Sequence, residues 1–541
     1  VFGAGAMTNS IDEIRDTDLM MVVGSNTTEA HPIIAMEMKR ALHRGARLIV
    51  IDPRKIELTR WADLHLQLRP GTDVALLNGI ARVIRDEGLV DRAWIEAHAE
   101  DWEAYERSLD AFPLPWVAAV TGVPAEEIRA AARMYATTKK AGIYYTLGIT
   151  EHTHGTDNVL SLANLVMMTG HLGVRSAGLN PLRGQNNVQG ANDAGATPIY
   201  LPGYQKVTDD EARGRFSAAW GVEVPPVNGL NLNEMMKEVV KGKLKGLFVI
   251  GEDIILSEPN SDPLAAAIER DDFFLVCVDL FLNETGKRAD VVLPAACFAE
   301  KDGVFTNSDR RVQRVRQAVP PPGQALADWR ILVAFARAAG YPMPDYSGPA
   351  EIYAEMAALS PKFSGISHDR LEQNVRGLQW PCPDPTHPGT GTLHVDGPMR
   401  GKAPFSAVSY RASAELPDEA YPWVLSTGRT LYHYNAATQT RREPGPIAKQ
   451  PRCFVEISAA DAAAQGLEDG GEVRVVSRRG FVEAQVRVTG RVPAGVVWMP
   501  MHFPDAPANR LTNDAGDAVT GTGEYKVCAV RIERVRAEAA K

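Results

Sequence analysis

The feature that most limits how this chain can fold is a repeat. Val22-Val-Gly24 returns as Val249-Ile-Gly251, 227 residues later. With no gap allowed, the same offset carries Pro32 onto Pro259, the run 48–51 onto 275–278, and Asp52 onto Asp279. It also carries Ala62-Asp63 onto Ala289-Asp290, and Leu66 onto Leu293. Unrelated segments can share a strand and a glycine. They seldom also share the distance to an acid at the next strand's end and to a later Ala-Asp step. Each copy reads as strand, glycine turn, helix and strand, the pattern of a parallel α/β unit. Residues 19–68 and 246–295 should therefore superpose, with Asp52 and Asp279 at strand C-terminal ends.

A glycine where a strand turns into a helix lets a ligand approach the backbone, and the helix start offers N–H groups to phosphate. An acid at the tip of the following strand can hydrogen-bond a ribose or the amino edge of a base. Each copy thus reads as half of a dinucleotide site. In one copy alone, a tight turn and a solvated strand end would explain as much; two copies with matched spacing favour the site. Gly3-Ala-Gly5-Ala lacks a third glycine and a preceding strand, so no ordinary nicotinamide fingerprint is present.

Around the repeats, 32–42, 72–85 and 124–135 have helical apolar spacing. The stretch 346–418 is rich in Pro, Gly and Asp and reads as an irregular connecting segment. Beyond it, 453–457, 472–477, 481–488 and 496–499 read as strands parted by Gly-rich turns, which favours a small barrel. The expected fold class is α/β: two pseudo-repeated dinucleotide-binding α/β domains followed by a C-terminal β-barrel. The expected domains are 1–185, 186–345, the connection 346–418, and 419–541. A length of 541 residues accommodates that many. The net charge of −9 argues against a general nucleic-acid role. No apolar run approaches the ~20 residues of a membrane helix. The five cysteines lie far apart with no CxxC pair, the usage of a reducing, cytoplasmic compartment.

Specific segments then carry a resemblance. Gly170-His-Leu-Gly-Val, Asn180-Pro-Leu-Arg183-Gly-Gln185-Asn-Asn-Val-Gln-Gly190 and Pro202-Gly-Tyr-Gln205 are one set. Gly24-Ser-Asn26-Thr-Thr-Glu29, Ile51-Asp52-Pro-Arg54 and Pro70-Gly71-Thr72-Asp73 are a second, and Gly251-Glu252-Asp253, Val278-Asp279 and Ala327-Asp328 a third. Ser426-Thr-Gly428-Arg429 with His433, Asn509-Arg-Leu-Thr512 and Glu524-Tyr525-Lys526 complete them. In this order they resemble the bis-molybdopterin-guanine-dinucleotide oxidoreductases, and among these the formate dehydrogenase catalytic subunits.

The resemblance implies a role for each position. Gly24, Asn26, Glu29, Asp52, Arg54, Gly71 and Asp73 would hold one guanine dinucleotide; Glu252, Asp253, Asp279 and Asp328 would hold the other. Gln185, Arg429, His433, Asn509, Tyr525 and Lys526 would contact pterin or phosphate. Arg183 would hold formate beside molybdenum or tungsten, and a guanidinium fork does match a carboxylate. Electrons would leave through iron–sulfur clusters and flavin-bearing or iron–sulfur partner subunits, to NAD. In that family a cysteine or selenocysteine followed by histidine ligates the metal, upstream of the segment resembling residues 1–10. Neither is present here, nor is the cluster-bearing N-terminal domain, so no metal ligand is assigned. The chain resembles the C-terminal part of a catalytic subunit, expected to be inactive alone.

Other chemistries fare worse. His152-Thr-His154 with Asp157 is a weak zinc signal without further ligands. No Gly-x-Ser-x-Gly elbow supports a hydrolase. A nitrate-reductase-like oxidoreductase and a non-catalytic scaffold of the respiratory complex I type are the alternatives. The Arg183-Gly-Gln185 loop speaks against the first, and retention of both acid-tipped half-sites against the second.

Overall fold

The computed structural model describes residues 1–535. The chain divides into two compact units: Val1–Leu182 with Ile255–Pro263 and Thr392–Lys541, and Arg183–Ile254 with Leu264–Gly391.

The first unit opens with a parallel sheet of β1 (Leu19–Val23), β2 (Arg47–Ile51), β3 (Leu64–Leu66), β4 (Ala141–Tyr145) and β5 (Gly178–Pro181), ordered β3-β2-β1-β4-β5. β1 is apolar throughout because both faces are covered. Leu19, Met21 and Val23 pack with helices α1 (Asp73–Asp86), α2 (Ala125–Thr137) and α3 (Gly155–Met168). Met20 and Val22 pack on the opposite side against Ile34 and Met38 of the helix Pro32–His43.

In the second unit, β6 (Gly246–Ile250), β7 (Phe274–Asp279) and β8 (Val291–Pro294) form a parallel sheet ordered β8-β7-β6. An antiparallel hairpin follows, β9 (Gly303–Thr306) and β10 (Arg311–Val315). The chain then returns to the first unit as a closed barrel. Its strands are β11 (Trp423–Gly428), β12 (Phe454–Ile457), β13 (Glu472–Val476), β14 (Phe481–Val488), β15 (Val496–Pro500) and β16 (Cys528–Arg534). The order around the barrel is β11-β15-β12-β14-β13-β16.

Taken separately, the two repeats have the same internal bonding. Leu19 pairs with Arg47 and Gly246 with Phe274, the same register 227 residues on. The Gly24 amide donates to the Ile51 carbonyl at 2.9 Å, and that of Gly251 to Val278 at 2.8 Å. The Ala-Asp step has a structural reason: the Asp63 carboxylate accepts the Leu48 amide at 2.7 Å, and Asp290 accepts Leu275 at 2.7 Å. An aspartate at that position thus bonds to the neighbouring strand in both copies. Both glycines sit at positive φ, +53° and +64°. Their surroundings differ. A Cβ on Gly24 would lie 2.7 Å from the Gly148 backbone, whereas one on Gly251 would meet no atom within 4 Å. Gly24 therefore serves a close backbone crossing as well as the turn.

The stretch 346–418 contains two helices, Pro349–Leu359 and His368–Gln373, and short strands at Leu378–Gln379 and Ala403–Pro404. Its Pro and Gly content hides the first helix, which places Pro349 at its N-terminal turn, where proline is tolerated. Two barrel strands, β11 and β16, fall outside the expected strand segments. In β16, Val530, Arg531, Ile532 and Glu533 alternate apolar with charged, the period of a half-buried strand.

Candidate active site

In the first unit the end of β2 and the start of α1 bring two buried acids, Asp52 and Asp73, near each other. Asp52, just past β2, is buried and accepts the Arg54 amide at 2.9 Å. Asp73, the first residue of α1, is buried close enough to feel its charge. Arg54 supplies the stronger nearby positive charge and Lys526 a weaker one; Lys526 bonds Glu151 at 2.6 Å and the Thr427 carbonyl at 2.9 Å. Burial raises the Asp73 carboxyl above its ordinary value, and raises that of Asp52 to about 6.

The sign of the Asp52 effect gives a prediction. An acid whose folded-state value is raised adds stability below its ordinary 3.8 and loses it as pH rises through about 6. Ionised and buried at pH 7, it costs the ligand-free protein on the order of 2–3 kcal/mol. Asp52→Asn is expected to stabilise that protein at pH 7 and to flatten its stability between pH 4 and 6. Urea denaturation across this range measures it; a pH slope unchanged in the variant would refute the assignment.

Several expected residues have protein partners. Arg54 forms a two-point ion pair with Glu456 and lies over the Trp498 ring. Glu29 pairs with Arg491 at 3.0 Å. His433 uses both ring nitrogens, toward Thr440 and the Gln450 carbonyl. Arg429 makes a long contact with Asn435, 3.5 Å. The Tyr525 carbonyl accepts the Thr427 amide and hydroxyl. Gly71, at φ +79°, faces the Ser413 hydroxyl, 2.5 Å from where a Cβ would stand.

Other groups lack partners. The Nδ2 of Asn26 and the Oδ1 of Asn509 are buried without a hydrogen bond, although Asn509 Nδ2 donates to the Leu256 and Ser257 carbonyls. His154 is buried with neither ring nitrogen bonded, stacked on His152 at 5.3 Å. Burial and the neighbouring His152 push His154 down to about 4. Burial alone would raise the Glu524 carboxyl, but His152, 3.8 Å away, and the Thr153 amide hold it below its ordinary value. The His152-Thr-His154 spacing suggests only a weak zinc site; the burial of both rings beside Glu524 is a feature that spacing does not show. Among the described residues no three His, Cys, Asp or Glu side chains group as a metal site.

In the second unit, Asp279 ends β7 and accepts the Leu280 amide and the Asn283 side chain, at 2.6 and 2.7 Å. Asp253 accepts the Glu284 and Thr285 amides and the Thr285 hydroxyl. Burial raises both carboxyls, and Asp253 raises Asp279 further. The Glu252 carbonyl accepts from Asn283. Asp328 opens the helix Asp328–Ala338 and pairs with Lys301. Arg183 and Gln185 lie in the half-buried loop before α4 (Val188–Asp193). The Arg183 amide donates to the Ser308 hydroxyl at 3.1 Å, and its Nε to Gln189 Oε1 at 3.2 Å.

A sequence model described as "Molybdopterin oxidoreductase" matches residues 2–338. The chain belongs to that family. It is a molybdopterin-dependent oxidoreductase, and a model described as "Molydopterin dinucleotide binding domain" matches its barrel at 423–529. The F420-dependent formate dehydrogenase subunit alpha of Methanocaldococcus jannaschii is 44% identical over 99% of this chain and 79% of its own length. Formate dehydrogenase H of Escherichia coli is 38% identical over 98% of this chain and 75% of its own. Acetylene hydratase from Pelobacter acetylenicus shares the fold, with a TM-score of 0.75 at 20% identity over 97% of this chain and 81% of that one. The family's cofactor is a molybdopterin, and the residues present fit its dinucleotide form. Asp52 and Asp73 are buried acids with raised carboxyls, Asn26 and Asn509 hold buried atoms without partners, and Gly251 leaves open space.

Proposed function

We propose that this chain belongs to the catalytic subunit of a formate dehydrogenase, which oxidises formate to carbon dioxide, a proton and two electrons. The observation that carries this reading is Arg183, held at its amide and its Nε in a chain 38–45% identical to formate dehydrogenase alpha subunits. In this reading the domains are the half-sites 1–185 and 186–345, the connection 346–418 and the dinucleotide-binding barrel 419–541. Gly24, Asn26, Glu29, Asp52, Arg54, Gly71 and Asp73 hold one guanine dinucleotide; Glu252, Asp253, Asp279 and Asp328 hold the second. Gln185, Arg429, His433, Asn509, Tyr525 and Lys526 bind pterin or phosphate. When bound, the pterin-held molybdenum or tungsten supplies the two-electron acceptor.

Arg183 does the substrate work. Its planar fork takes the two carboxylate oxygens of formate and thereby fixes the direction of the C–H bond, an orientation effect. Carbon dioxide has no charge and loses that grip, so the same residue favours release of product. We assign the electrons to partner subunits bearing iron–sulfur clusters or flavin, with NAD as final acceptor, in the cytoplasm. Three relatives are named for F420 instead, so the test is independent of the natural acceptor. Among the described residues no helix is long and apolar enough to cross a membrane. The test is reduction of a viologen dye by the purified holoenzyme: formate should drive it, and dye reduction by other small acids with none from formate would overturn the reading.

A further inference from the structure

The side chain of Arg183 is held at Nε by a buried polar cluster within the second unit. Gln189 Oε1 accepts Arg183 Nε, and Gln189 Nε2 donates to Asp193 Oδ1 at 2.9 Å and to the Tyr204 hydroxyl at 2.6 Å. The Tyr204 hydroxyl donates to Asp193 Oδ1 at 2.9 Å, and Trp380 Nε1 donates to Oδ2 at 2.8 Å. Gln189 and Asp193 are four residues apart on α4, so they share a face. Trp380 is fully buried, and Asp193 nearly so.

We propose that Asp193 is a positioning residue which, through the Gln189 amide, sets the direction in which Arg183 meets its substrate. The proposal rests on Arg183 being the carboxylate clamp. A glutamine amide has nearly the same shape either way round, so shape alone does not orient it. Asp193 does. An ionised carboxylate only accepts, so the Gln189 NH2 must turn toward it and the Gln189 oxygen must turn toward Arg183. Reversing the amide would set its NH2 against the Arg183 N–H. Burial pushes the Asp193 carboxyl up to about 6, and the three donors around it work against that rise.

The donor count makes the proposal testable. In Asp193→Asn the new amide fails in either orientation. With its oxygen toward Gln189, its NH2 meets the Trp380 N–H. With its NH2 toward Gln189, the Gln189 amide must reverse and present hydrogens to Arg183. Adding Gln189→Glu repairs the match. The Glu then accepts from Arg183, from the Asn NH2 and from Tyr204, while the Asn oxygen accepts from Trp380. The pair keeps its single negative charge.

The experiment compares native holoenzyme, Asp193→Asn, the Asp193→Asn/Gln189→Glu exchange and Arg183→Met. It reads formate KM and kcat, azide affinity by calorimetry, metal content and melting temperature. Asp193→Asn is expected to raise formate KM and weaken azide roughly tenfold, the worth of one bond to a charged group. Its kcat should change less, and its metal content should stay native. The exchange should recover to within about threefold. If Asp193→Asn does not accumulate as folded protein, Gln189→Met breaks the relay at its other end and carries the same expectation. Native KM and azide affinity in Asp193→Asn, or an exchange no better than the single variant, would overturn the positioning role. Native azide affinity in Arg183→Met would instead overturn the clamp itself.

Discussion

Arg183→Met is expected to lower kcat/KM for formate by roughly 10²- to 10⁴-fold, with metal and pterin content unchanged. The loss of two charge-assisted hydrogen bonds to the carboxylate, at about 1.5–3 kcal/mol each, sets that range. Arg183→Lys keeps the charge but has no planar fork, so the carboxylate turns about a single contact and the loss is smaller, about ten- to a hundredfold. No other residue in the loop from Asn180 to Gly190 has a fixed positive charge to take over. Inhibition by azide and nitrate should weaken in the same order. Turnover per metal close to native in Arg183→Met would remove this arginine from the substrate's path.

The second large effect is on stability. Glu456 is wholly buried and accepts Arg54 Nη2 and Nε, each at 2.7 Å, while Arg54 lies 3.7 Å over Trp498. Glu456→Gln sets an NH2 against the guanidinium and leaves a buried cation without its counter-ion. Breaking such a pair costs about 3–5 kcal/mol. Arg474 and Glu483 form a pair of similar length, 2.8 Å, on the exposed face of the barrel. Glu483→Gln there should cost less than about 1 kcal/mol. Urea denaturation of the two variants side by side is the check, and equal losses would show that the buried pair does not hold the end of β2 to the barrel.

The repeat was legible because each of its landmarks is a local requirement. Gly24 and Gly251 need positive φ, and Asp63 and Asp290 each bond an amide of the neighbouring strand. Such needs recur at a constant offset and show in a single sequence. Strands β11 and β16 are missed for different reasons: β11 runs into the Ser426-Thr-Gly428-Arg429 motif, and the apolar–charged alternation of β16 covers only Val530 to Glu533. Least visible were the contacts that aim or lock the site residues. Arg54 meets Glu456 across 402 positions, and Trp380 meets Asp193 across 187. No periodicity links such pairs, and each half alone resembles an ordinary charged or aromatic residue. Gln189 and Asp193 do leave a trace, a polar pair at helical spacing that begins inside the Asn180–Gly190 segment and ends three residues past it.

The central proposal is that each copy of the repeat holds one guanine dinucleotide. Acid release of GMP from purified holoenzyme, counted against molybdenum plus tungsten and against protein, tests it most directly. Two GMP per metal and per chain are expected. One GMP per metal, or none, would contradict it.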